Sequence, residues 1–344
     1  MWYEALIERG LLPDWLLRRG IRHFLGQELA RQARGGEAAV AARLRSFVAD
    51  LRASPIAIAT ADANRQHYEL PPEFFTHILG PRLKYSCAYW PEGVRNLEDA
   101  EVRMLELYAE RAGLADGQEI LELGCGWGSL SLWLAARYPR ARLLAVSNSR
   151  PQREFILARA ARQGLDNLTV VTADVNDFDP GRRFDRVLSI EMFEHLKNYE
   201  RMFGRIARWL DPAGYLFVHV FAHDRFAYAF RSEDPADWIG RHFFAGGLMP
   251  SVDLFRHFQR DLELRAVWRV NGLHYARTAE AWLANLDAHR AALEPISARV
   301  YGPARARAWL ENWRVFFLSC AELWGYRGGE EWLVAHYLFA PRLR

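Results

Sequence analysis

Apolar residues follow three different rhythms along the chain. Over residues 1–52 they recur at helical spacing, at Ile21, Phe24, Leu25 and Leu29 and again at Val40, Leu44, Phe47, Val48 and Leu51. Gly35-Gly36 separates the two stretches, and arginines stud the polar faces. A cationic amphipathic helix of this kind can lie on a membrane or present a solvated face while docked on its own protein. Residues 54–95 have no period. Pro55, Pro71, Pro72, Pro81 and Pro91, with many aromatics, mark a long loop of the sort that packs over a site. From about residue 96 helices and strands alternate. NLEDAEVRMLELYAERAGL reads as a helix with Leu97, Met104, Leu105, Leu107 and Tyr108 inward, EILELGC as a short strand and GSLSLWLAARY as the next helix. ARLLAVS is a strand, and PQREFILARAARQGL is a helix with Pro151 in its first turn, where proline fits. NLTVVTADV, FDRVLSIEMF and GYLFVHVFA supply further strands, with RMFGRIARWL as a helix before the last.

Strands alternating with helices over about 100 residues predict a parallel, doubly wound sheet of the α/β class. After Ala222 the rhythm breaks into loop and helix over 223–260, a strand at LELRAVWRV, mostly helix over 278–325, and a last apolar strand at EEWLVAHYLFA. The late helices are then insertions between strands of one sheet. The expected organisation is a helical extension and site cover over 1–95, an α/β core over 96–222, a helical and aromatic cap around one sheet strand over 223–330, and a closing strand over 331–344.

Composition narrows the function classes. The 344 residues are 51% hydrophobic and 25% charged, which suits a folded chain with a real core. Three cysteines, Cys87, Cys125 and Cys320, make neither a metal knuckle nor a disulfide framework, so a reducing, cytoplasmic setting is expected. The first residues lack a basic segment followed by an apolar one, and no apolar run approaches the ~18–20 residues that span a bilayer. With 45 basic against 42 acidic residues the net charge is +3, which does not point to nucleic acid. Lysine occurs at Lys84 and Lys197 alone; every other basic residue is arginine. The 13 Trp and 20 Phe, many beyond residue 220, can line an apolar pocket or simply fill the core.

The strongest local signal is Glu122-Leu123-Gly124-Cys125-Gly126-Trp127-Gly128, between a strand and a helix. Glycines there permit a tight turn and close approach of a ligand to the backbone. A dinucleotide fingerprint would need G-x-G-x-x-G and an acidic residue after the next strand. Here the spacing is G-x-G-x-G, and the next strand ends in Ser147-Asn148. After the fourth strand, Glu191, Glu194 and His195 are spaced i, i+3 and i+4, so they share a face if the segment coils. Two carboxylates beside an imidazole can hold a proton near neutral pH; the alternative is a plain surface helix start. His219 and His223 flank the end of the fifth strand, but no cysteine or carboxylate array accompanies them, and no metal is expected.

The glycine turn resembles the first motif, E/D-x-G-x-G-x-G, of S-adenosylmethionine-dependent methyltransferases. The missing acidic ribose ligand is shared by the cyclopropane fatty acid synthase-like branch. Likeness to that branch is carried by Tyr85-Ser86-Cys87-Ala88-Tyr89-Trp90, the glycine turn, Ser147-Asn148-Ser149 with Gln152, and Ile190-Glu191-Met192-Phe193-Glu194-His195. Within it, MFEHLKNY, LFVHVFAH, HFFAGGLMPS, WRVNGLHYARTAEAWL, FFLSCAELWGY and GEEWLVAHYLF look closest to the coclaurine N-methyltransferase type. The resemblance implies a Rossmann-like, seven-stranded, mostly parallel sheet. It also implies that Gly124, Gly126 and Gly128 contact the cofactor, Asn148 and Gln152 take the ribose, Asp174 sits by the adenine, and Ser86 and Ile190 complete the pocket. Asp174 could instead cap a turn, and Asn148 a helix. In the cyclopropane synthases, positions matching Cys87, Glu194, His219 and Tyr275 surround a bicarbonate. Cys320 matches a family cysteine once assigned as nucleophile; methyl transfer needs none, so it reads as a wall residue.

The expectation is a soluble methyltransferase acting on a small ring-bearing amine, with Glu194 and His195 as base and Glu191 orienting. Tyr68, Trp90, His219, Phe244, Tyr275, Trp313 and Phe316 are the candidate substrate contacts. The second reading is bicarbonate-assisted methylene transfer to an unsaturated phospholipid acyl chain, with membrane contact by the N-terminal helices. A third is a silent scaffold that binds S-adenosylmethionine without turnover. The family tendency suggests a homodimer.

Overall fold

The computed structural model describes residues 4–58, 70–230, 238–244 and 246–342; Tyr68 lies outside them. Strands β1 (Glu119–Leu123), β2 (Arg142–Ser147), β3 (Leu168–Thr172), β4 (Phe184–Ile190) and β5 (Leu210–His223) follow the predicted alternation. Two short strands, β6 (Tyr228–Ala229) and β7 (Leu248–Met249), pair with each other, and β8 (Leu262–Val270) and β9 (Trp332–Pro341) return to the main sheet. The seven-stranded order is β3-β2-β1-β4-β5-β9-β8. Neighbours from β3 to β5 are parallel, and β9 runs antiparallel to both β5 and β8. Chain order reverses between β1 and β4, where open α/β sheets bind ligands at the strand carboxyl ends.

Both faces of the sheet are covered, so the strands are apolar on both sides. Leu121, Leu123, Val187, Val218, Val220, Tyr337 and Phe339 pack one face against Phe193, Phe203 and Phe255. The other face carries Ile120, Leu188, Phe217 and Val334, and Met104 and Tyr108 pack against it. Polar residues interrupt this second core: Glu122 on β1, His219 on β5 and His336 on β9 are all buried. His219 lies directly opposite His336 in the β5–β9 register.

The helix Leu97–Ala112 starts where Asn96 accepts the Asp99 N–H at 2.8 Å and ends where Gly113 turns left-handed at φ 60°. The extension folds as Asp14–Ala33 and Gly36–Ala53, broken at Gly35-Gly36 as its pattern predicts. Its end is tied to the core: Asn198 Nδ2 donates to the Arg52 and Ser54 carbonyls at 2.7 and 2.8 Å, and the Lys197 N–H donates to the Ile56 carbonyl at 2.7 Å. The helix Pro72–Ile78 inside the proline-rich stretch has no counterpart in the sequence reading. Seven residues are too few to show a 3.6-residue period, although Pro72 in its first turn marks the start. The cap supplies Leu273–Ala288, Arg290–Tyr301 and Ala306–Gly325 between β8 and β9.

Candidate active site

The turn after β1 opens a cavity at the switch point. Ser86, Gly124, Gly126, Asn148, Gln152, Asp174 and Ile190 all line it, as do Glu191 and His195. The three glycines act differently. Gly126 turns left-handed at φ 51°, and a Cβ there would meet nothing within 4 Å, so the backbone is bare toward open space. At Gly124 (φ 78°) a Cβ would come within 2.8 Å of Met192 Cγ. Gly128 does not line the cavity; it opens the helix Ser129–Arg137 at φ 80°, and a Cβ would sit 2.7 Å from Ile156 Cγ1. Packing against Ile156 thus requires glycine at Gly128, between Trp127 and Ser129 of the cavity wall. Ser149, not Asn148, caps the helix Arg150–Arg162. Asp174 does close a turn, accepting from Asn176 N and Nδ2 at 2.8 and 2.9 Å, and it borders the cavity as well. Asn176 in turn grips Ala57, accepting its N–H at 3.0 Å, so Ala57 and Ile58 of the extension form part of the cavity wall.

The acidic cluster does not share one face. Glu191 adopts a left-handed backbone at φ 49°, a conformation that costs of order 1–3 kcal/mol for a non-glycine residue. Its N–H donates to the His219 carbonyl at 2.8 Å, which helps to hold that turn. The side chain is thereby aimed at three donors: Cys87 N at 2.9 Å and His219 Nε2 at 3.0 Å on Oε1, and Tyr275 Oη at 2.6 Å on Oε2. Glu194 sits one tight turn later, in Phe193–His195, and is buried; its Oε1 accepts the Phe221 N–H at 3.0 Å. His195 reaches the cavity, with its ring 4.7 Å from that of Phe244. The described bonds of Glu191 thus go to Cys87, His219 and Tyr275, and its charge acts on Glu194.

Burial governs the electrostatics. It raises the Glu191 carboxyl, opposed by nearby Lys84, the Tyr275 hydroxyl and the Cys87 N–H. It pushes Glu194 well above the usual carboxylate range, and the Glu191 charge adds to the push. Of the pair, Glu191 with its three donors is the natural anion and Glu194 the protonated partner. Lys84 is buried and brought down to about 8 by desolvation, against the pull of Glu191, Cys87 and Glu101. Its ammonium donates to Ser86 Oγ and, at 2.7 Å, to the Cys87 carbonyl. Burial drives the Cys87 and Cys320 thiols up, which leaves neither as a thiolate nucleophile.

A profile of the mycolic acid cyclopropane synthetase family matches residues 57–325. The chain belongs to that family. It is an S-adenosylmethionine-dependent methyltransferase. (S)-coclaurine N-methyltransferase from Thalictrum flavum subsp. glaucum is 38% identical over 340 residues, covering 98% of this chain and 94% of that protein. The crystal structure of a coclaurine N-methyltransferase bound to N-methylheliamine and S-adenosylhomocysteine superposes with a TM-score of 0.94 at 37% identity, covering 98% of both chains. Cyclopropane-fatty-acyl-phospholipid synthase from Escherichia coli K12 is 32% identical over 220 residues, 63% of this chain and 54% of that protein.

The cavity suits the family cofactor. Gln152 is buried with Oε1 bound to Ser147 Oγ at 2.7 Å, while its Nε2 has no hydrogen-bond partner among the described residues. A ribose hydroxyl would satisfy such a donor. The open space over Gly126 gives the ligand room against the backbone.

The aromatic candidates divide. Tyr275 bonds Glu191 and stacks on Trp324 at 4.8 Å; Trp324 meets Phe221 at 5.4 Å, Phe221 meets Phe244 at 5.4 Å, and Phe244 meets His195. An aromatic arch thus runs from Glu191 to His195. Trp324 and Phe221 were not among the sequence candidates. Phe316 stacks on Phe243 at 4.3 Å, and Trp313 is buried among Phe74, Phe75 and Phe243. Trp90 lies apart from the cavity, with Nε1 bound to Thr278 Oγ1 at 2.9 Å and Arg277 over its ring. Its bulk is taken up by packing against Ala88 and Ala100. His223 also departs from His219: its Nδ1 accepts the Arg225 and Phe226 N–H groups at 2.9 and 3.1 Å and closes a turn.

Proposed function

We propose that this chain transfers the methyl group of S-adenosylmethionine to the nitrogen of a small, ring-bearing amine. One observation carries the reading. Where the resemblance expects a bicarbonate, among Cys87, Glu194, His219 and Tyr275, three of the four bond the chain's own carboxylate, Glu191, while Glu194 accepts the Phe221 N–H. A built-in anion bordering the cofactor cavity and flanked by an aromatic arch suits an alkylammonium with a flat ring. It also fills the place of the anion that methylene transfer to a lipid would require. The (S)-coclaurine and pavine N-methyltransferases, matched over most of their length, support the same reading.

When bound, the cofactor supplies an electrophilic methyl group. Ser86, Gly124, Gly126, Asn148, Gln152, Asp174 and Ile190 would hold it. Glu191 attracts the substrate ammonium and fixes its position, and the Tyr275–Trp324 face shields the charge from water. An alkylamine with a pKa of ~10.4 is mostly protonated at pH 7, and freeing its lone pair costs about 4–5 kcal/mol. His195, which borders the cavity, takes the proton, and the protonated Glu194 carboxyl ties the same turn to the Phe221 N–H.

The test is incubation of the protein with methyl-labelled S-adenosylmethionine, a panel of benzylisoquinoline and phenethyl amines, and unsaturated phospholipid vesicles, with and without bicarbonate. Label in the amine fraction, indifferent to bicarbonate, is expected. Label in acyl chains that vanishes without bicarbonate would transfer the case to lipid cyclopropanation.

A further inference from the structure

A hydrogen-bond chain continues behind Glu191 through His219, and its outer members, His336 and Arg111, have no part in the mechanism above. Arg111 Nη1 lies 2.7 Å from His336 Nδ1, His336 Nε2 lies 2.9 Å from His219 Nδ1, and His219 Nε2 lies 3.0 Å from Glu191 Oε1. We propose that Arg111 and His336 are positioning residues which fix the tautomer of His219 and so keep Glu191 an anion ready for the substrate ammonium. This rests on the amine reading of the site.

The direction of the chain follows from its first member. A guanidinium has donors and no acceptor, so His336 Nδ1 must present its lone pair to Arg111. The proton of neutral His336 is then on Nε2 and points at His219 Nδ1, which must accept. His219 in turn carries its proton on Nε2 and donates to Glu191. Reversing any link would set two donors, or two lone pairs, against each other. Tyr108 Oη, 2.9 Å from His219 Nδ1, is a second donor to the same lone pair. Tyr108 and Arg111 are three residues apart on one helix face, so the helix Leu97–Ala112 delivers both. The β5–β9 register delivers the histidine pair.

Arg111 cannot take a proton onward, so the chain is a lock and not an exit path. Its guanidinium lies 5.2 Å from the centre of the Trp268 ring on β8. Protonating either histidine would force a new N–H against an existing donor, and burial opposes it as well. Titratable and charged groups facing the Glu191–His219 pair are Lys84 and Cys87 from the loop, Tyr108 from the helix, Glu194 from the following turn, and Tyr275 and Cys320 from the cap.

Four variants of the full chain test the lock: Arg111→Met and His336→Leu break it, while Arg111→Lys keeps a donor and His336→Gln keeps one acceptor and one donor in the same order. Two readouts are taken, with melting temperature and S-adenosylhomocysteine affinity as controls for folding. The first is the imidazole nitrogen NMR spectrum without amine, assigned with His219 and His336 variants. Both rings of the parent should be Nε2–H tautomers, and Arg111→Met should lose that single state. The second is kcat/KM for the amine against pH. The acid limb should move up by about one unit in the broken variants, close to a tenfold loss on that limb, and return to within about threefold in the conservative ones. If His219 keeps its tautomer in Arg111→Met, or His336→Gln fails as badly as His336→Leu, the lock is overturned. If no amine is methylated, the functional reading fails, and the NMR spectrum still decides the lock.

Discussion

Glu194 and His195 occupy one turn but face different surroundings, and their substitution separates chemistry from binding. His195→Ala should lower turnover by ~10²–10⁴-fold, the usual worth of a positioned general base, and Glu194→Ala, which frees the turn that presents His195, should act in the same sense, with cofactor affinity little changed. Single-turnover rates and calorimetric titration with S-adenosylhomocysteine measure the two quantities. Near-parental turnover in both variants would mean that alignment alone carries the reaction. Gly126 is the complementary position. A Cβ there meets no protein atom, so the free fold should bear Gly126→Ala with modest backbone strain. Cofactor affinity should nevertheless fall, and Gly126→Asp should abolish it by placing a charge in the same space. Glu122 tests the buried carboxylate of the turn. Burial raises its carboxyl to about 7, with the Ser131 hydroxyl as its opposing partner. Its folded pKa therefore lies above its unfolded one. Below about pH 5 the group is neutral in the fold, and stability is lost as pH rises through 7 and it ionises. Glu122→Gln stays neutral, so its melting temperature relative to the parent should climb by roughly a few degrees between pH 5 and 8. A gap that does not widen with pH would show that Glu122 is already ionised at low pH.

Elements explain why some of the site was legible in the chain and some was not. The glycine turn and the E-x-x-E-H segment are local, so their spacing alone put them at the carboxyl ends of β1 and β4. The final strand was legible too, because EEWLVAHYLFA is apolar on both faces, as a central strand must be. Histidines inside such strands, His219 and His336, were a readable anomaly. Their pairing was not, because it depends on the register of strands more than 100 residues apart. Arg111 looked like one arginine among many. Lys84 did carry a signal: in a chain that otherwise uses arginine, both lysines are buried. The loop that presents Lys84, Tyr85, Ser86 and Cys87 is anchored by Glu101, whose buried carboxylate accepts the Arg82 N–H at 3.0 Å and the Lys84 N–H at 3.3 Å. A Cβ on Gly80 would lie 2.5 Å from that carboxylate. Glu101→Ala leaves buried N–H groups unpaired at about 1–3 kcal/mol each. It should lower denaturant stability by roughly 2–5 kcal/mol and weaken cofactor binding together, because Ser86 moves with the loop. Stability lost without any change in affinity would show that the loop holds its shape without Glu101.

On the scale of the whole molecule, the helix Asp14–Ala33 clamps the two cap helices that carry Tyr275 and Trp324 of the aromatic arch. Arg18 Nη1 reaches Glu322 at 2.8 Å on Ala306–Gly325, and Nη2 reaches Glu280 at 2.9 Å on Leu273–Ala288. Arg22 also bonds Glu322, and Asp14 accepts two bonds from Arg314 at 2.7 and 2.8 Å. Among the described residues no helix is long and apolar enough to cross a membrane, and this helix turns Leu17, Ile21, Leu25 and Leu29 toward the protein core. Glu322 is two residues from Trp324, and Tyr275 stands across from it on the other clamped helix. The carboxylate is buried, but Arg22 is largely exposed, so solvent screens part of the pairing and the loss on Glu322→Ala should be about 1–3 kcal/mol. The functional effect should be selective. KM for the amine should rise several-fold as the arch loosens, while affinity for S-adenosylhomocysteine stays put, because the glycine turn rests on the sheet and not on the cap. Salt should act in the same sense on the parent, since the Debye length shrinks from about 10 Å at 0.1 M to 3 Å at 1 M. Equal weakening of amine and cofactor binding in Glu322→Ala would show that the extension supports the fold as a whole. An unchanged KM would leave the clamp without a role in substrate binding.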